Sequence, residues 1–237
     1  MRATPEGTPQ GGPLSPLLSN IVLDELDREL ERRGHAFARY ADDCNVYVRS
    51  EEAGHRVMES LRRFIMKRLK LRVNESKCAV DRPSRRKFLG FSLTSGKSPK
   101  RRIAPKAIER CKDRIRELTR RTRGIDAKRM VEELSRYLRG WRGYFGFCET
   151  PSVLRDLDSW IRRRMRAVAW KQWKHGRRRF AELVRRGVPR ALAAMAAGGC
   201  KHPWRASRHG GVQTALPSAL WDRLGLVRLA PPSKDSS

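Results

Sequence analysis

The feature that most constrains the fold is a change in hydrophobic period part-way along the chain. Up to about residue 94, helical and strand-like spacings alternate; beyond Ser95-Gly96-Lys97-Ser98-Pro99 only helical spacing continues. In the first part, the spacing predicts a helix from Leu14 to Arg32. Leu14, Leu18, Ile21, Val22, Leu26 and Leu30 share one face, and Gly34 closes it. His35–Tyr40 and Cys44–Arg49 read as strands around Ala41-Asp42-Asp43, the second alternating Val46 and Val48 with Asn45 and Tyr47. Glu51–Leu71 is a second amphipathic helix, and Lys77–Val80 and Arg86–Leu93 are further short strands. This order predicts an α+β fold, a sheet with helices on one face.

The second part reads as three amphipathic helices joined by short connections, which suggests a bundle. Ile108, Cys111, Ile115 and Leu118 mark the first. Asp126 can cap the second, through Met130, Leu134, Leu138, Trp141 and Phe145; the third begins near Pro151 and carries Leu157, Trp160, Ile161, Met165 and Val168. Trp141, Trp160, Trp170 and Trp173 are expected in a core or groove. After Gly198-Gly199 the chain is expected to be irregular, with a short helix near Pro217–Leu224 and a disordered tail. The expected domains are therefore 1–95, 96–190 and 191–237.

Charge narrows the partners. The chain has 237 residues, with 54 Lys and Arg against 25 Asp and Glu, a net +29. From Lys97 to Arg186 there are 29 basic and 10 acidic residues, so a net +19 sits in the helical part. Nucleic acid is the first choice of partner, because Lys and Arg neutralise phosphates and release counterions. No apolar run approaches the roughly 18 residues of a spanning helix, and no secretory leader is recognisable, so no membrane partner is expected. Five scattered cysteines without a C-x-x-C pair fit a reducing, cytoplasmic location.

The chemistry concentrates at Asp42 and Asp43. Two carboxylates at one turn repel unless a cation neutralises them, and a hard divalent ion such as Mg²⁺ takes oxygen ligands. Phe37, Ala38, Tyr40 and Ala41 before the pair, and Val46 and Val48 after it, imply that both arms are buried.

Tyr40-Ala41-Asp42-Asp43 resembles the YADD box of reverse transcriptases. Thr8-Pro-Gln-Gly-Gly-Pro-Leu-Ser-Pro-Leu-Leu-Ser-Asn-Ile21 is similar to the Gln-Gly block that precedes it in those enzymes. Leu71-Arg-Val-Asn-Glu-Ser-Lys-Cys78 and Phe88-Leu89-Gly90-Phe91 resemble the following block and the primer-grip hairpin. Leu138-Arg-Gly-Trp-Arg-Gly-Tyr-Phe-Gly146 and Leu157-Asp-Ser-Trp-Ile-Arg-Arg-Arg-Met-Arg166 look like the maturase domain of bacterial group II intron proteins.

The resemblance implies part of a right-hand polymerase palm followed by a thumb and maturase bundle. Its activity would be RNA-directed DNA synthesis with Mg²⁺, on template-primer and deoxynucleoside triphosphates, together with binding of the intron RNA. Asp42 would bind metal and Asp43 would assist or bind it too. Gln10, Gly11, Tyr40 and Lys77 would meet substrate. Arg163 and Arg166, expected on the side of their helix away from Ile161 and Met165, would meet RNA. The family has another metal-binding aspartate and the fingers before the Gln-Gly block, and no Asp precedes Asp24 here. The chain thus reads as an N-terminally truncated form, inactive in polymerisation alone, with an upstream fingers fragment or a second copy as the expected complement. A splicing cofactor that only binds RNA is the alternative.

Overall fold

The computed structural model describes residues 14–231. The chain separates into two compact units, Met1–Leu89 and Gly90–Ser237.

The first unit begins with α1, Ser15–Arg32, which has a proline in its first turn and ends at Gly34, a glycine with φ +70°. Strands β1 (Ala36–Tyr40) and β2 (Asp43–Tyr47) form an antiparallel hairpin in which Ala36 faces Tyr47 and Tyr40 faces Asp43. Helix α2, Glu51–Lys67, starts at Ser50, whose side chain accepts the amide of Ala53 at 3.2 Å. Gly54 lies against Val80; a Cβ there would sit 2.5 Å from the valine methyl, so the close approach requires glycine.

Three expectations for this unit need correction. Lys77–Val80 is not a strand. Lys77 and Cys78 donate their amides to the Asn74 carbonyl, closing a turn that takes up donors a ladder would use. The arms around the aspartates are not buried: only the inner residues of each strand are half-covered, and Tyr40 is 64% exposed. On α1, only Leu26 and Leu30 are buried, while Leu14, Leu17, Leu18, Ile21 and Val22 are exposed.

In the second unit, β3 (Phe91–Leu93) pairs antiparallel with β4 (Arg101–Ile103). Ser95–Pro99, expected as a boundary, is the connection of this hairpin. The strands thus form two separate two-stranded sheets rather than one. Helices dominate the rest of the unit: α3 (Pro105–Leu118), α4 (Ala127–Phe145) and α5 (Pro151–Gln172), then α6 (Gly176–Arg185) and α7 (Arg190–Gly199). Where the chain after Gly199 was expected to be irregular it holds α8 (Pro203–Ala206) and α9 (Gly210–Ala215), and α10 (Ser218–Arg223) lies where a short helix near Pro217–Leu224 was expected. Pro105 and Pro151 open α3 and α5, and the Asp126 carboxylate caps α4 by accepting the Arg129 amide at 2.7 Å.

One continuous core fills this unit. Leu134, Leu138, Ile161, Met165, Trp170 and Trp221 are all almost fully buried in it. The Trp170 indole donates to the Cys200 carbonyl at 3.2 Å, tying α5 to the end of α7. Ser135 on α4 donates to the Gly225 carbonyl at 2.9 Å. The last described segment is therefore part of the packing, not a loose end. No described helix is long and apolar enough to cross a membrane.

Candidate functional site

The β1–β2 hairpin places Ala41 and Asp42 in its two-residue connection, with Asp43 opening β2. Ala41 has φ +54°, a conformation that such a tight connection demands and that costs a residue with a Cβ about 1–2 kcal/mol. The strain is held by Arg39. Its guanidinium donates to the Ala41 carbonyl at 2.9 Å and to Asn20 Oδ1 at 3.1 Å, and pairs with Asp27 at 2.5 Å. One side chain thus ties the aspartate turn to α1, and Asp27 holds that guanidinium's pKa above its ordinary value.

Asp42 and Asp43 are exposed, and neither carboxylate has a hydrogen bond or ion pair among the described residues. Tyr40, one position before the turn, is exposed beside them. The hairpin therefore brings Tyr40, Asp42 and Asp43 together. Lys77 lies apart in sequence, exposed on the turn closed by Asn74. Gln10 and Gly11 lie outside the described residues. No group of three or more His, Cys, Asp or Glu capable of holding a metal forms among the described residues. The two unpartnered carboxylates are nevertheless a hard-oxygen donor pair of the kind Mg²⁺ takes.

The basic half looks different from its sequence pattern. Arg163 and Arg166 do not face away from the fold. The Arg163 guanidinium carbon lies 3.8 Å from the centre of the Trp204 ring, and the side chain donates to Ser207 Oγ and the Trp204 carbonyl at 3.3 and 3.2 Å. Arg166 donates to the Ser207 carbonyl at 3.1 Å. The physical reason is that α8 packs along α5, so the side opposite Ile161 and Met165 is covered as well. Burial lowers the pKa of both arginines, helped by nearby guanidinium charge. Arg162 is deeper still, between Asp158 and Asp222 at 3.5 and 2.7 Å.

Two family comparisons bear on these features. Residues 1–93 match the model of the reverse transcriptase (RNA-dependent DNA polymerase) family, and residues 108–187 match the group II intron, maturase-specific domain. The chain belongs to the group II intron reverse transcriptase–maturases. The reverse transcriptase match contains the Tyr40–Asp43 hairpin, and the maturase match contains α4, α5 and α6. A curated relative, Protein YkfC of Escherichia coli (strain K12), is 32% identical over an alignment of 113 residues, covering 33% of this chain. The match spans 30% of that relative's length.

Arg39 was not among the residues that sequence reasoning singled out for this site. Its neighbour Tyr40 carries the motif, whereas the contacts that give Arg39 its place reach back to Asn20 and Asp27 on α1. No spacing rule links those positions.

Proposed function

We propose that this chain grips structured intron RNA with its basic helical unit and contributes the Asp42–Asp43 turn to an RNA-directed DNA polymerase centre. The observation that carries the reading is the turn itself: two carboxylates left without partners, on a strained and clamped connection, in a chain of net charge +29. Unpaired carboxylates amid such an excess of cations are poised for a bound cation. Asp42, with Asp43 assisting, would hold Mg²⁺, which when bound neutralises phosphate charge and activates a hydroxyl for phosphoryl transfer. Tyr40 would present its exposed ring to the incoming nucleotide, and Lys77 and the Gln10-Gly11 block would meet template-primer and deoxynucleoside triphosphate.

In this reading residues 1–95 supply part of a palm. Residues 96–190 supply thumb and maturase helices, and 191–237 buttress them. Arg163 and Arg166 contribute to the grip only with the nitrogens their fold contacts leave free. Asp42 and Asp43 are a pair of acids with no third beside them among the described residues. On this reading the chain binds RNA, and a complement, an upstream fragment or a second copy, completes the centre for synthesis. A splicing cofactor without polymerase activity is the second reading, favoured by the net +19 of residues 97–186.

The test uses purified chain. Its affinity for a group II intron RNA should fall steeply with salt, with a log–log slope of several units, because each neutralised phosphate releases counterions. Primer extension on an RNA template should be undetectable with the chain alone. Salt-indifferent binding would overturn the RNA reading. Extension by the chain alone that survives Asp42→Ala would overturn the assignment of the turn.

A further inference from the structure

Where the end of α3 meets the middle of α5, a cavity of about 240 Å³ is lined by Arg116, Thr119, Arg121, Trp160, Arg164 and Trp204. Its floor is Arg164. Nε donates to Thr119 Oγ1 at 2.8 Å, and one terminal nitrogen reaches the carbonyls of Arg116 and Thr119 at 3.4 and 3.5 Å. All these partners are neutral, and no carboxylate pairs with this half-buried guanidinium among the described residues. Thr119 is fully buried and fixed in turn, its hydroxyl donating to the Ile115 carbonyl. Arg164 is therefore aimed, not free to swing.

The charges around it have the same sign. Among the described residues Arg116 forms an ion pair only with Asp113, an exposed residue on its own helix. Arg121, exposed at the rim, has no hydrogen bond or ion pair among the described residues. Burial lowers the pKa of Arg164, and Arg116 and Arg121 lower it further. The Trp160 ring offsets part of this, with the guanidinium carbons of Arg116 and Arg164 lying 5.7 and 5.2 Å from its centre. Hydrogen bonds to the end of α3 account for the placement of Arg164, but not for two further arginines lining the same hollow, and no carboxylate lines it among the described residues.

We propose that this cavity is the seat of one backbone phosphate of the bound RNA, held by Arg164 and Arg121 with Arg116 beside them. The proposal rests on the RNA-binding reading and gives it a specific site. The planar fork of a guanidinium matches the paired oxygens of a phosphate, and an arginine preset by Thr119 loses little freedom on binding. The half-exposed Trp204 at the rim offers a surface to the adjoining sugar or base.

The experiment measures binding of the full chain to a group II intron RNA across a salt series. Arg121→Ala should leave thermal unfolding unchanged, since Arg121 makes no hydrogen bond or ion pair among the described residues. It should weaken RNA binding and lower the log–log salt slope by about one. Arg164→Lys keeps the charge but loses the fork, and should weaken binding with little change in slope. Arg155→Ala, an exposed arginine of α5 outside the cavity, is the comparison. If wild-type chain fails to bind RNA, the RNA reading itself falls. If it binds and Arg121→Ala behaves like Arg155→Ala, the grip is diffuse and the phosphate seat is wrong. Sodium phosphate at constant ionic strength completes the test. Should it raise the melting temperature as much as RNA does, and should Arg121→Ala abolish that rise while sparing RNA binding, the cavity is a free-anion site and the proposal fails.

Discussion

Arg39 positions the aspartate turn more than either aspartate does. With its side chain 12% exposed, it donates to a carboxylate, an amide oxygen and a strained carbonyl at once. Arg39→Ala should cost about 2 kcal/mol, the loss of hydrogen bonds to a charged partner plus a stranded Asp27. Amide exchange followed by mass spectrometry should report faster exchange over residues 36–47 and unchanged exchange in α4 and α5. Equal acceleration everywhere would mean that the clamp is not local. At this scale the sequence was half legible. Asp42 and Asp43 could be singled out from their motif, and the turn between two short strands from its flanks. Arg39, Arg121 and Arg164 could not, because what distinguishes each is a neighbour brought close by folding: Asp27, the open cavity, or Thr119.

Elements were easier to read where local chemistry sets their ends. Asp126 and Pro151 mark helix starts by mechanism, one by offering an oxygen to a free amide and the other by lacking an amide to strand. Asp126→Ala should therefore destabilise the chain by about 1 kcal/mol, and Asp126→Asn, also a good cap, by much less. Urea unfolding followed by circular dichroism would separate the two; an equal loss for both would deny the cap its role. The expected sheet failed for the opposite reason. Apolar spacing around Lys77–Val80 suggested a strand, but strand pairing is non-local, and the turn at Asn74 used those amides first. After Gly199, α8 and α9 were missed because they span only four and six residues, too short to show a period, whereas α10 falls where a short helix was expected.

At the scale of the whole molecule, burial is lopsided. The core cluster lies entirely within the second unit, whereas Leu26 and Leu30 are the buried large apolar side chains described in the first. The second unit is closed by a polar chain as well. Asp158, 8% exposed, accepts the amides of Leu229 and Ala230 at 2.9–3.1 Å and pairs with Arg162. Arg162 reaches Asp222, which also pairs with Arg228. Arg228 and then Arg162 hold the Asp222 carboxyl below its ordinary value of 3.8. A lowered pKa stabilises the fold above the unfolded value and loses that effect as pH falls through the folded one. Urea midpoints of wild type and Asp222→Asn should thus differ at pH 7 and at pH 5, and converge as the pH drops below about 4. A gap that stays constant into acid would show that the charge of Asp222 contributes nothing. The same closure has a consequence for synthesis on the ribosome. Asp158 meets its partners 71 and 72 residues later, and Arg162 meets Asp222 60 residues later. At about 5–20 residues per second, several seconds pass between the emergence of α5 and that of the segment that covers it. During that interval Arg162 stands uncovered in a nascent chain, whereas Arg163 and Arg166 wait only for Trp204 and Ser207, 41 to 44 residues on, and completion of this unit waits for the contacts of Asp158.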